Sequence, residues 1–166
     1  FGNPIYVANT VANMNEAQIS DNIIVNDGNG SCMYFAQSAS RSLNIDGNSC
    51  WNQAGPNATA ATYAIEFSRG VYNQLNVNNN IVYNYKGGIG SDNMASAHVN
   101  EASIGNNSIL VNANHNSHGI TFPTTAAVKS NQAIGNRIVG DNTAGKVGIL
   151  GANIANGNYV RNMPTG

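Results

Sequence analysis

Val77-Asn78-Asn79-Asn80-Ile81-Val82 sets an apolar residue three before an asparagine and another two after it. The same pattern returns at Ile19-Ser20-Asp21-Asn22-Ile23-Ile24, at Ile45-Asp46-Gly47-Asn48-Ser49-Cys50 and at Ile104-Gly105-Asn106-Asn107-Ser108-Ile109. Two further copies are Ala133-Ile134-Gly135-Asn136-Arg137-Ile138 and Ala155-Asn156-Gly157-Asn158-Tyr159-Val160. Successive key asparagines are 26, 32, 27, 29 and 22 residues apart. A short apolar strand precedes each copy: Pro4–Ala8 around Val7, Met33-Tyr34-Phe35, Ile65-Glu66-Phe67, His98-Val99-Asn100, Ile120-Thr121-Phe122 and Ile149-Leu150. Val7, Met33 and Ile65 each lie 15 residues before their asparagine, and the later offsets are 8, 16 and 9. One supersecondary unit repeated at roughly 20–30 residues predicts a solenoid of stacked coils. The expected fold is therefore all-β, a parallel β-helix of about six coils. Asparagine tolerates the left-handed conformation at turns and forms side-chain ladders between stacked copies. A β-sandwich also has short strands and Gly-rich turns but needs no such period. An α+β fold with short helices at Ala95–Ala102 and Thr124–Ala133 is the other alternative.

Composition agrees. Of 166 residues, 31 are Asn and 18 are Gly, and only 9% are charged, against about 25% in an ordinary domain. Long amphipathic helices need more Leu, Glu, Lys and Arg than this. The net charge of −1 leaves no basic patch for nucleic acid. No apolar run approaches the ~20 residues of a membrane helix. With 42% hydrophobic residues the chain is not a disordered composition. The length suits a single domain over 1–166. The opening Phe1-Gly2-Asn3-Pro4-Ile5 and the closing Met163-Pro164-Thr165-Gly166 read as the ends of a piece of a longer chain. Cys32 and Cys50 suffice for one bridge in an oxidising compartment, but the simpler reading is two small buried hydrophobes.

Tyr63-Ala64-Ile65-Glu66-Phe67-Ser68 followed by Val77-x-x-Asn80-x-Val82, and His118-Gly119-Ile120-Thr121-Phe122 followed by Asn136-Arg137-Ile138, resemble the right-handed parallel β-helix of the pectate-lyase-like superfamily. More narrowly, the chain resembles the β-helix of bacteriophage tailspikes and capsule depolymerases. That resemblance spans essentially the whole chain. It implies a homotrimer on a virion, or outside the cell, that recognises and often cleaves a bacterial surface polysaccharide. It implies neither membrane insertion nor a cofactor. The superfamily also holds lyases and inert stalks, so function must come from a site.

Eight acids make placement informative. Aligning the first strands puts Tyr34, Glu66, Asn100, Thr121 and Leu150 in one outward row. A glutamate in mid-strand is disfavoured unless something uses it. Glu101 is expected one coil further on, about 4.8 Å away across the stack. Such a pair suits the separations of glycosidase carboxylates, about 5–5.5 Å for retaining enzymes or 6.5–9.5 Å for inverting ones. Asp92, on a preceding loop, is the alternative second acid. Tailspike-like hydrolases place a Glu and an Asp one coil apart in such a groove, and Glu66 matches the first. A lyase would instead need a cation and a proton acceptor. His98, Arg69, Lys86, Tyr72, Tyr83 and Tyr85 supply both types. Trp51, beside Asn52 and Gln53, offers a face on which a sugar ring stacks. Tyr34, Trp51, Tyr83, Lys86, His98, Asn100 and Arg69 are thus the candidate substrate-binding residues, and Glu66, Glu101 and Asp92 the candidate catalytic ones. His115 and His118 lack acidic or Cys partners, so no metal is expected. Lys86-Gly87-Gly88-Ile89-Gly90 reads as a loop.

Overall fold

The six motifs turn the chain at one corner of a right-handed parallel β-helix of about six coils, seen in a computed structural model of the protein. The structure describes residues 4–9, 14–26, 30–53, 63–90, 97–111, 118–122, 130–140 and 148–163; at 8, 9, 14, 37–40, 69, 97 and 98 it describes the backbone alone. No helix occurs among these residues. Each coil contributes one strand to each of three parallel sheets.

Coil 1 holds β1 (Ile5–Asn9), β2 (Met14–Ser20) and β3 (Ile23–Asn26). In coil 2, β4 (Met33–Asp46) runs through the first and second sheets and β5 (Ser49–Asn52) lies in the third. Coil 3 repeats this with β6 (Tyr63–Asn78) and β7 (Ile81–Tyr85). Coil 4 has β8 (Gly87–Gly90), β9 (Ala97–Gly105) and β10 (Ser108–Val111). Coil 5 has β11 (Ile120–Thr121), β12 (Ser130–Ile134) and β13 (Arg137–Val139). Coil 6 has β14 (Ile149–Leu150), β15 (Ile154–Asn156) and β16 (Tyr159–Arg161).

Period-2 alternation sends one apolar column inward from each sheet. The first sheet stacks Ile5, Met33, Ile65, Ile89, Ile120 and Ile149. The second stacks Ile19, Ile45, Val77, Ile104, Ala133 and Ala155. The third stacks Ile24, Cys50, Val82, Ile109, Ile138 and Val160. Most of these side chains are fully buried, and each large one contributes about 1.5–3 kcal/mol. Phe35 and Phe67 add an inner stack with centroids 5.3 Å apart.

The key asparagines form a continuous ladder between the second and third sheets. The backbone N–H and the Nδ2 of Asn22 both donate to Oδ1 of Asn48, at 3.0 and 2.9 Å. Asn48 does the same to Asn80, Asn80 to Asn107, Asn107 to Asn136 and Asn136 to Asn158. The same Nδ2 donates back to the preceding coil: Asn48 to the Ile19 carbonyl, Asn80 to Ile45, Asn107 to Val77, Asn136 to Ile104 and Asn158 to Ala133. Each acceptor is the apolar residue three before the ladder asparagine of the preceding coil, which accounts for the motif's spacing. The left-handed residue is not the ladder asparagine, as the sequence suggested, but the one before it. Asp21, Gly47, Asn79, Asn106, Gly135 and Gly157 all have φ between 55° and 68°, a conformation open mainly to Gly, Asn and Asp.

Three expectations are corrected. Lys86–Gly90 is not simply a loop: Gly87–Gly90 is β8, paired with β6 and β11. The first-sheet strand of coil 4 is therefore β8 around Ile89, and His98-Val99-Asn100 belongs to β9 in the second sheet. That strand also overturns a helix at Ala95–Ala102. In coil 1, Ile5 rather than Val7 pairs with Met33, and Val7 pairs with Phe35. This slip of two residues keeps the same face inward.

Glycine holds β8 in place. Directly before the inward column of the first sheet stand Cys32, Ala64, Gly88, Gly119 and Gly148. A Cβ on Gly88 would press on the Gly119 carbonyl oxygen and on Ile109. On Gly119 it would lie 2.5 Å from Ile138 Cγ2 and 2.7 Å from the Gly148 carbonyl oxygen, and on Gly148 it would lie 2.5 Å from Val160 Cγ1. In coils 4 to 6, where the third-sheet column is Ile109, Ile138 and Val160, the facing position is glycine, and in coil 3, opposite Val82, it is Ala64. Where that column is Cys50, the facing position is Cys32, and the two form a buried disulfide. The two thiols are bonded, not merely packed.

Candidate functional site

The strand register sorts the expected site residues onto three different sheets. Tyr34 and Glu66 share an outward row of the first sheet with Tyr6. The Tyr6 and Tyr34 rings stack face to face, 5.5 Å apart and 5° from parallel. Glu66 follows in the next coil, half-buried, and Ser31 Oγ donates to its Oε2 at 2.6 Å. Ser31 is buried and precedes the disulfide-bonded Cys32, so the carboxylate is oriented by a donor on a fixed backbone. The next position in the row is Gly90, not Asn100. A side chain at Gly90 would collide with the Tyr63 ring, whose hydroxyl reaches Thr121 Oγ1 at 2.9 Å, two coils away. Thr121 was expected in this outward row, but Ser31, Tyr6 and Tyr63 escaped the sequence reading. Only the alternation that makes Tyr6 outward pointed to any of them.

Glu101 is exposed on the second sheet, in the row Glu16, Ser42, Gln74, Glu101, Ser130. Its neighbour on β6 is Gln74, eight residues past Glu66. That is roughly 26 Å of strand contour at ~3.3 Å per residue, with a bend at Gly70, φ 108°. The expected Glu66–Glu101 pair is therefore split between two sheets. Glu101 instead lies in an open groove of about 430 Å³ with Gln74, Asn76, Ser103, Ser130 and Gln132. Asn100 is beside it, its Nδ2 donating to Asn73 Oδ1 at 2.6 Å. Asp92 lies outside the described residues, as does His115; for Arg69 and His98 the side chains do.

Trp51 and Tyr83 pair across the third sheet, with ring centroids 5.3 Å apart and both rings half-exposed. Their outward row is Val25, Trp51, Tyr83, Leu110, Val139, Arg161; the row beside it is Ile23, Ser49, Ile81, Ser108, Arg137, Tyr159. Lys86 is buried at the turn between β7 and β8 and is not presented to a ligand. Tyr72 and Tyr85 are buried as well. Burial pushes the Tyr72 hydroxyl well above the ordinary phenol value, with Tyr34 adding to the effect. The same cause pushes Tyr85 up to about 12, the Asn26 side chain acting the other way. Neither is poised to take a proton near neutral pH. No family model, curated protein or solved structure matches the chain.

Proposed function

We propose that this chain recognises a polysaccharide, as the tailspike and capsule-depolymerase β-helices it resembles do. The observation that carries the reading is the outward row of the first sheet: the stacked Tyr6 and Tyr34 leading, one coil on, to a Ser31-oriented Glu66. Aromatic faces take sugar rings, and a carboxylate accepts hydrogen bonds from their hydroxyls. One such group in each of coils 1 to 3 suits a polymer lying along the helix axis. A buried disulfide fits an oxidising setting, outside the cell or on a virion. The catalytic form of this reading is hydrolysis with Glu66 as the acid and Asp92 as the second carboxylate. The pairing of Glu66 with Gly90, two residues before Asp92 in sequence, favours Asp92 over Glu101.

The test is retention on immobilised bacterial surface polysaccharides together with release of reducing ends. Tyr34→Ala should weaken retention about tenfold, and Glu66→Gln should abolish hydrolysis while sparing most of the retention. Unchanged retention in Tyr34→Ala would sink the binding row. Full hydrolysis by Glu66→Gln would sink the acid. An unsaturated uronide in place of simple reducing ends would mean a lyase.

A further inference from the structure

We propose that two copies of this chain associate antiparallel through the outer face of the third sheet. Eight of the twelve outward positions in its two rows are apolar or aromatic, against one of eleven in the two comparable rows of the second sheet. Ile23 is 81% exposed, and Val25, Trp51, Ile81 and Tyr83 lie between 44% and 51%. A contiguous apolar patch on a sheet whose backbone is already paired marks an association surface rather than an unfinished edge.

Charge selects the partner and its orientation. Asp21 and Asp46 flank the strands of this sheet in coils 1 and 2, and Arg137 and Arg161 lie on its strands in coils 5 and 6. A two-fold axis along the strand direction lays coil 1 of one copy over coil 6 of the other. Acids then meet bases at both ends, and the apolar centres meet in the middle. Parallel pairing would set arginine over arginine. Such isologous contacts close as a dimer. The face measures roughly 24 Å by 13 Å from strand spacing and rise, small against the ~800 Å² per partner of a standard interface. The dimer is accordingly weak and concentration-dependent.

Sedimentation velocity on the whole chain over a concentration series tests this, with emission from Trp51, the single tryptophan, as a local reporter. A monomer–dimer equilibrium is expected, with Trp51 emission shifting to the blue as dimer forms. Tyr83→Asp should weaken association at least ~tenfold at unchanged circular dichroism. Asp21→Asn and Arg161→Gln should each weaken it severalfold, and the double variant no further than the worse single one, because coil 1 of one copy lies over coil 6 of the other and the two act on one contact. Within one copy these residues are five coils apart, about 24 Å, so the coupling reads the intermolecular contact. Additive losses would overturn the antiparallel arrangement. A trimer or a concentration-independent monomer would overturn the dimer. A blue shift of Trp51 on adding dextran to a persistent monomer would assign the face to a glycan instead.

Discussion

At the residue scale, two buried asparagines with opposite energetics separate architecture from accident. Asn107 is 1% exposed and fully used: its Oδ1 takes two bonds from Asn80, and its Nδ2 donates to Asn136 and to the Val77 carbonyl. Asn107→Ala strips partners from a buried N–H and a buried carbonyl, each worth about 1–3 kcal/mol when left unmade. A loss of roughly 3–5 kcal/mol in chemical denaturation is expected. Asn131 is equally buried but sits in an inward row after Leu43, Leu75 and Ala102, and among the described residues neither polar atom of its side chain has a partner. Asn131→Leu keeps the shape and removes that desolvation penalty, so it should stabilise by about 1–2 kcal/mol. If both substitutions cost the same, the ladder contributes nothing beyond filled volume. The ladder asparagines were legible because their spacing is dictated by a bond to a fixed carbonyl. Asn131 was not, because an asparagine two before Ala133 breaks the apolar alternation that marks an inward row.

At the element scale, the short strand β8 is where sequence reading and structure parted, and the reason is steric. Glycine is a poor strand former on propensity, so a run with three glycines reads as a turn. Here each glycine-to-isoleucine step (Gly88-Ile89, Gly119-Ile120, Gly148-Ile149) opens a first-sheet strand or directly precedes it, at the corner where the chain passes close beneath Ile109, Ile138 and Val160. That repeated dipeptide was a usable signal, and its absence from coils 2 and 3 is explained by Cys32 and Ala64 in the same column. Missing it moved the first-sheet strand of coil 4 by ten residues, which placed Asn100 in the row of Glu66 and Glu101 within one coil of it. The fold survived the error because each coil pairs with its neighbours over three sheets, while a carboxylate pair depends on one register. Gly119→Ala tests the column. The added methyl meets Ile138 and the Gly148 carbonyl with no room to retreat, and overpacking of this kind costs about 1–3 kcal/mol. Thermal unfolding should fall by several degrees, whereas Gly151→Ala, at a turn outside the column, tests only the left-handed φ of 78°. An unchanged midpoint for Gly119→Ala would mean that the corner is looser than the contacts require.

At the scale of the whole molecule, a solenoid gains stability coil by coil, each contacting only its neighbours. That explains the scarcity of charge. The inner columns admit none, the ladder uses amides, and the described outward rows of the second sheet are mostly Ser, Asn and Gln, with Glu16 and Glu101 their charged members. It also makes the middle of the stack its vulnerable point, since coil 3 joins coils 1–2 to coils 4–6. Coil 3 carries both strongly perturbed tyrosines. Tyr72 donates to the Phe35 carbonyl at 3.3 Å and packs edge-on to Phe67, and Tyr85 closes β7. Each folded hydroxyl holds its proton more tightly than the unfolded chain does, Tyr85 to about 12 from 10.0. Their stabilisation is therefore complete below pH 10, where both states are protonated. It is lost as pH rises through 10 toward 12, where only the unfolded chain ionises. Every pH unit in that window removes about 1.4 kcal/mol per tyrosine. Phenolate absorbance and far-ultraviolet circular dichroism should be followed together through this window. A cooperative step should follow in which the last phenolates and the β signal change at once. Tyr85→Phe should move that step to higher pH, by removing the proton whose loss drives it. Smooth ionisation of all seven tyrosines with an unchanged β signal would mean that coil 3 admits hydroxide without unfolding, and that the burial of these two side chains does not govern the stability of the stack.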